Sequence, residues 1–368
     1  MGNKMTINDI AQLSGVAKST VSRYLNGGSV RYETGQKIKK VIEENHYEPN
    51  VFARLSAKNS QIIGLVVPGF NSVTTPRLVE VIVAYLKKSG YTPMIMHTGN
   101  DLEEEVRCME RLKRMNVDGM MVLSTGITNR HREIVEQSEI PILFLGQRFP
   151  YGSSVVYDDY HAGLDAGKYL GSKGVQDVVV FWVGEEDPAV GKQRKQGVTD
   201  GLQSCQVPQI ELVETTFFYE DAVKNMERLL QERALPDAVI CATDRIAEGV
   251  YKALAKRNIA IGKEVSVMGF GNYETSELLT PPLTTVAFDW ENWGEVSAET
   301  IIQMIQGKPV SRVQIIPYHL VERKSVKQDK IRLCEKSSGS NSFCVFYTKK
   351  RVYFLEPIPK IFFIIYVY

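Results

Sequence analysis

The sequence predicts a small all-α head followed by an α/β body of two doubly wound lobes. Three observations carry that expectation in this chain of 368 residues. The N-terminal stretch spaces its apolar residues at helical intervals, in short segments. From Gln61 onward short apolar runs alternate with amphipathic helices, the pattern of a parallel sheet. A second such unit begins near Asp159, and at about 150 residues per domain the chain has room for two or three domains. Composition agrees: 43% hydrophobic and 24% charged residues exclude a wholly disordered protein, a collagen and a disulfide miniprotein.

The head comes first. Thr6 or Asn8 can cap a helix whose first turn holds Asp9 and whose inward face is Ile7, Ile10, Ala11 and Leu13. Ser14-Gly15-Val16 reads as a tight turn. A second helix turns Val21, Tyr24 and Leu25 inward and shows Lys18, Ser19, Thr20, Ser22 and Arg23 outward. Those side chains are donors of the right length for phosphates and base edges. A third helix, about Thr34 to Glu44, supplies Ile38, Val41 and Ile42. Two short helices around a glycine turn make a helix-turn-helix pattern; the same spacing also fits an ordinary three-helix bundle with a solvated basic face. Charge bears on the choice. Residues 1–58 hold nine Lys/Arg and five Asp/Glu, a balance of +4, whereas the other 310 hold 35 and 38, a balance of −3. A basic head on a mildly acidic body suggests that the head meets a polyanion.

The ordered run TINDIAQLSGVAKSTVSRYLNG, followed by YEPNVFAR, resembles the head of the lactose/galactose repressor (LacI/GalR) family. The resemblance implies a DNA-binding transcriptional repressor in which Lys18, Ser19 and Arg23 read the major groove. Thr6, Thr20, Ser22 and Asn26 would then hold the DNA backbone. It also implies a hinge helix over residues 50–60 that wedges a leucine into the minor groove. Here the chain departs from the family: Ala53-Arg54 runs straight into Leu55, and the segment up to Gly64 looks one residue short. One residue turns a helix position by about 100°, so Leu55 is either the wedge or a residue packed under the head.

The body follows over residues 61–325. The first lobe is expected to run strand Ile62–Val67, helix 76–89, strand Thr92–His97, helix 102–115, then strands 118–123, 140–145 and 155–157. The second has strands at 177–183, Gln209–Glu214, 238–242, Ser266–Phe270 and Thr284–Phe288, closed by a helix near 297–306. Neither a G-x-G-x-x-G nor a P-loop is present. The family's body resembles periplasmic sugar-binding proteins, with crossovers between lobes and a ligand between them.

Residues just past the strands are the candidates for that ligand. Asp158 and Asp159 can hold sugar hydroxyls or cap a helix. Val190, Lys192 and Arg194 follow the 177–183 strand, and the family places an effector-binding arginine at Arg194. Thr243-Asp244 stands where the family has Asn-Asp, and Gly271 where it has an aspartate. Phe288 and Trp290 flank Asp289 where a stacking aromatic is expected. The cluster Lys192, Arg194, Lys195 leans towards an anionic ester. Within the family, the likeness is to sucrose-operon repressors of low-GC Gram-positive bacteria, through YDDYHAG, AVGKQRKQG and GFGN with TPPLTT. Trehalose-operon repressors share some of it.

Residues 326–368 match nothing in the family. The apolar IPKIFFIIYVY is far below the roughly 20 residues of a membrane span. The segment reads as accidental, such as readthrough past a shifted stop, with a partner-binding tail as the alternative. The five cysteines show no ligand or disulfide spacing, so no metal or cofactor is expected and a reducing cytosol is. Without an apolar leader, a transport module built on the same lobes is disfavoured. His46, His97, His131, His161 and His319 are isolated in sequence and join no nucleophile–base constellation, so no enzyme is expected. The partners expected are operator DNA, a sugar or sugar-phosphate effector and a second copy of the chain, with no membrane.

Overall fold

The computed structural model describes residues 5–25, 28–45, 47 and 60–327, together with the backbone of three short strands further on. Asn26, Arg54 and Leu55 lie outside the described residues, as do the hinge up to residue 59 and the apolar C-terminal run.

The head holds helices α1 (Ile7–Ser14), α2 (Lys18–Leu25) and α3 (Tyr32–Glu44). Thr6 and Asp9 form a reciprocal capping box on α1, each side chain meeting the other's backbone N–H. Gly15 ends the helix at φ +68°, a conformation that L side chains rarely adopt. Ile10, Ala11, Val21 and Ile38 form the buried centre, with Ile7, Tyr24, Leu25, Val41 and Ile42 packed around it. Leu13 corrects the expected inward face, for it is 57% exposed. It lies about 110° around the helix from the Ile10–Ser14 line. Ser14 takes the inward place instead and gives its hydroxyl proton to the Ile10 carbonyl.

Beyond the head the chain divides into two units. The first takes the residues up to Asp158, with Glu186–Ala189 and Asp289–Pro317. Its elements are β1 (Ile62–Val67), α4 (Thr74–Lys88), β2 (Thr92–His97), α5 (Leu102–Arg114), β3 (Gly119–Leu123), α6 (Asn129–Glu136), β4 (Ile142–Leu145) and β5 (Ser153–Tyr157). The chain returns to this unit with α12 (Trp290–Ile305) and β11 (Val313–Ile316). Its six strands are all parallel, in the order β11-β5-β4-β3-β1-β2. Every residue of β1, β3 and β4 is buried, as a sheet covered on both faces requires.

The second unit takes Asp159–Glu185, Val190–Phe288 and the residues from Tyr318. It runs α7 (Asp159–Ser172), β6 (Asp177–Trp182), α8 (Lys195–Ser204), β7 (Gln209–Glu214), α9 (Tyr219–Glu232), β8 (Ala238–Cys241), α10 (Asp244–Lys256), β9 (Ser266–Phe270), α11 (Glu274–Leu278), β10 (Thr284–Phe288) and β12 (Tyr318–Val321). The sheet order is β12-β10-β9-β8-β6-β7, with only the β10–β12 pair antiparallel. Past it, Arg332–Leu333, Cys344–Thr348 and Arg351–Leu355 form a small antiparallel sheet, β13-β14-β15.

The closing helix expected near 297–306 is a further correction. It starts at Trp290 and belongs to the first unit, where it packs on α4: a Cβ placed at Gly294 would meet Val81.

Helices α7 and α8 touch backbone to backbone along a seam of glycines. A Cβ at Gly163 would collide with the Arg194 carbonyl, and one at Gly197 with the Tyr160 carbonyl. Gly167 and Gly201 face the Val198 and Leu164 carbonyls in the same way. This close approach fixes the start of α7 against the start of α8.

Candidate functional site

In the head, α2 carries the DNA-facing candidates. Lys18, Ser19, Ser22 and Arg23 fall within an arc of about 140°, turned away from Val21. Lys18, Ser19 and Arg23 are exposed; Thr20 and Ser22 are half-buried at the flank. The Thr6 hydroxyl caps α1, and the hydrogen bonds from Thr6 hold the Asp9 carboxyl below its ordinary value.

In the second unit the carboxyl ends of three strands converge on one guanidinium. A π-helical turn, Pro188–Arg194, leads into α8 and carries Arg194 inward. Such wide turns are frequent at functional sites. Arg194 is 6% exposed and Asp159, the first residue of α7, 3%. Arg194 Nε and Nη2 both donate to Asp159 Oδ1, at 2.9 and 2.5 Å, and Nη1 donates to the Ala242 carbonyl at 3.1 Å. The guanidinium carbon lies 5.1 Å from the Phe270 ring centre and 4.7 Å from that of Phe288. Ala242 follows β8, Phe270 ends β9 and Phe288 ends β10. Trp182, at the end of β6, stands edge-on to Phe270 and donates its indole N–H to the Val190 carbonyl at 2.7 Å.

The sequence candidates therefore separate. Asp159, Arg194 and Phe288 come together. Lys192 is exposed and Lys195 is paired with Glu185, so the three cations do not form one cluster, which removes the geometric support for an anionic ester. Both lysines lie towards Glu185, whose carboxyl is held low first by the Lys195 hydrogen bond and further by the charge of Lys192.

Asp244 is corrected from a ligand contact to an interior pin. It is fully buried, and its oxygens accept from Ser276 Oγ and Thr285 Oγ1, each at 2.6 Å, and from the Tyr273 amide at 3.2 Å. Burial pushes its carboxyl above the ordinary value, against those hydrogen bonds. Thr243 Oγ1 accepts from the Ile246 amide and so caps α10. Gly269 makes room for Asp244, since a Cβ there would collide with Oδ1. Gly271 sits at φ +138° with the Tyr273 ring 2.5 Å from where a Cβ would be. An aspartate at 271 therefore has neither the backbone freedom nor the space.

Asp158 is half-buried. Trp290, in the first unit, has the Arg77 guanidinium 5.5 Å from its ring centre. His131 serves the structure of the first unit. Its Nδ1 accepts the Thr128 amide proton at 3.1 Å, which places the ring proton on Nε2, 2.9 Å from Glu105. Among the described residues no group of three or more His, Cys, Asp or Glu side chains is placed to hold a metal, and no helix is long and apolar enough to cross a membrane. Phe270 and the Ala242 carbonyl were not identified from the sequence. An aromatic residue at the end of a buried strand was the available signal for Phe270, and a main-chain carbonyl leaves none.

Residues 6–50 match the lacI family of bacterial regulatory proteins, and residues 168–326 match a periplasmic binding protein-like domain. The sucrose operon repressor of Staphylococcus xylosus is 34% identical over 84% of this chain and 97% of its own length. The chain belongs to the lacI family and is a DNA-binding transcriptional repressor. A lac repressor dimer bound to operator and an anti-inducer shares the fold, with a TM-score of 0.80 and 24% identity over 89% of this chain and 100% of that one. A periplasmic binding protein/LacI regulator from Alkaliphilus metalliredigens, complexed with D-xylulofuranose, superposes with a TM-score of 0.63 and 26% identity, covering 73% of this chain and 100% of that one.

Proposed function

We propose that the protein represses a carbohydrate-utilisation operon, that of sucrose in the first place, and leaves its operator when a sugar or sugar phosphate binds the body. The observation that carries this reading is the buried Arg194–Asp159 pair between Phe270 and Phe288, at the carboxyl ends of a parallel sheet. A guanidinium offers directed donors to hydroxyl groups, and aromatic rings pack on the C–H faces of sugars. The S. xylosus relative supports sucrose, and the D-xylulofuranose complex supports a sugar at this kind of site.

In this reading residues 1–49 bind DNA, 50–60 form the hinge and 61–325 take the effector. Lys18, Ser19 and Arg23 read bases, while Thr6, Thr20, Ser22 and Asn26 hold the backbone and Arg54-Leu55 enters the minor groove. Asp158, Asp159, Val190, Lys192, Arg194, Phe288 and Trp290 surround the effector, with Thr243, Asp244 and Gly271 holding the strand ends in place. The working species is a cytoplasmic homodimer on a near-palindromic operator, without catalytic activity. The effector acts as inducer through its different affinity for the two states of the body.

The test is a gel-shift titration of the intact chain on DNA upstream of sugar-utilisation genes, at fixed salt. A specific complex should form and dissociate when one sugar or ester is added. Arg23→Ala should weaken operator binding by about 1–3 kcal/mol and leave sugar binding as it was. A specific complex that no sugar or ester disturbs overturns the effector reading. Equal affinity for operator and random DNA overturns the assignment of α2 as the reader.

A further inference from the structure

Resting on the effector reading above, we propose that Arg194 holds an uncharged sugar through adjacent hydroxyls, and that a phosphate ester in the same place is rejected.

The charge of Arg194 is already matched. Asp159 takes two of its five N–H donors and the Ala242 carbonyl a third. What is left is one N–H on each terminal nitrogen. Two such donors suit two neighbouring hydroxyl oxygens, which accept without bringing charge. A phosphate monoester brings a charge of about −1.5 to −2. It would meet a neutral ion pair, with the Asp159 carboxylate bound to the same guanidinium. Phe270 and Phe288 stand against the guanidinium, so little water is there to screen that repulsion. Like charges brought together in such surroundings cost several kcal/mol.

The neighbouring cations do not offset the repulsion. Lys195 is bonded to Glu185, and the Lys192 charge acts on the same carboxylate. Both follow from the register of the helix: residues 192 and 195 leave the turn at angles about 200° and 100° away from residue 194.

The experiment titrates the full-length chain calorimetrically with sucrose, fructose and trehalose, and with sucrose 6-phosphate, fructose 6-phosphate and trehalose 6-phosphate. Operator release is followed in parallel, with inorganic phosphate as a control for bare anion binding. The expected result is that one uncharged sugar binds and releases the operator, and that its ester binds at least about tenfold more weakly. Asp159→Asn removes the opposing carboxylate and should shift the ester-to-sugar preference by about tenfold towards the ester. The wild-type comparison stands on its own should that variant fold poorly. An ester that binds and releases the operator better than its parent sugar overturns this inference and leaves the sugar-repressor reading intact. If neither kind of ligand binds or releases the operator, the effector reading fails and this inference fails with it.

Discussion

Gly197→Ala adds a single methyl group where α7 and α8 meet. The new Cβ would lie 2.8 Å from the Leu164 amide nitrogen and nearer still to the Tyr160 carbonyl oxygen. Both are backbone atoms, so no rotamer change relieves the contact. To reach the 3.4 Å at which ordinary contact begins, the helices must part by at least about 0.6 Å. Asp159 precedes Tyr160 by one residue and Arg194 precedes Gly197 by three, so the ion pair spans the same crossing. A parting of that size takes the Nε–Asp159 bond from 2.9 Å to the limit of hydrogen bonding. Overpacking of this kind costs about 1–3 kcal/mol, and weakening a buried, hydrogen-bonded ion pair adds to it. In a unit of this size each kcal/mol lowers Tm by roughly 2–4 °C, so a fall of about 4–12 °C is expected. Sugar affinity should fall by about tenfold or more, since the donors no longer share one geometry. Differential scanning calorimetry and sugar titration read the two effects. Gly69→Ala is the control, because its Cβ would meet nothing nearer than 3.6 Å. If Gly197→Ala melts within 1 °C of its parent (about 0.3 kcal/mol) and binds sugar equally well, the seam does not position the site.

Other outcomes follow from the same geometry. Arg194→Met leaves Asp159 buried without its cation and should destabilise the second unit by about 3–5 kcal/mol, read as a shift in the urea midpoint. Thr6→Ala removes the α1 cap and should cost the head about 0.5–2 kcal/mol, visible as weaker operator binding at 37 °C than at 15 °C. The Asp244 carboxyl sits above its ordinary value of 3.8, so its proton favours the folded state; that contribution is full below 3.8 and is lost as pH rises through the folded value. Asp244→Asn should therefore cost more stability at pH 4 than at pH 7 in paired urea melts, and equal losses would contradict this. Burial in β8 raises the Cys241 thiol well above its usual value. Cys241 should resist iodoacetamide at pH 8 until the chain is unfolded, as mass mapping of alkylated peptides would show.

Most of the body could be read from the sequence because fully buried strands are written as unbroken apolar runs. Ile62–Val67, Thr92–His97, Gln209–Glu214, Ser266–Phe270 and Thr284–Phe288 fall where those runs predicted them. Helix α6 was missed because Asn129-Arg-His-Arg-Glu133 is nearly all polar, and its buried face is built from His131 and Ile134. The membership of α12 in the first unit was hidden for another reason: its partner surface on α4 lies more than 200 residues earlier, beyond any local pattern. At the site, the strand ends located Asp159, Arg194 and Phe288. Whether Asp159 served a ligand, a helix or a cation depended on the glycine seam, where the informative atoms are backbone carbonyls. Asp244 misled for a similar reason, since Ser276 and Thr285 reach it from elements 32 and 41 residues away.

The order of strands in the first sheet also governs when that unit can be completed during synthesis. Strand β11 pairs with β5, yet about 155 residues separate Tyr157 from Val313. At roughly 5–20 residues per second, a ribosome needs on the order of 10–30 s to make the intervening chain. For that interval β5 offers a bare edge, and the α4 surface destined for α12 faces water. A nascent chain paused in this window is an incomplete sheet of five parallel strands with an open apolar flank, the state most prone to pair with a neighbour on the same messenger. Slow codons placed between residues 158 and 312 would lengthen that exposure, whereas the same codons after residue 317 would not.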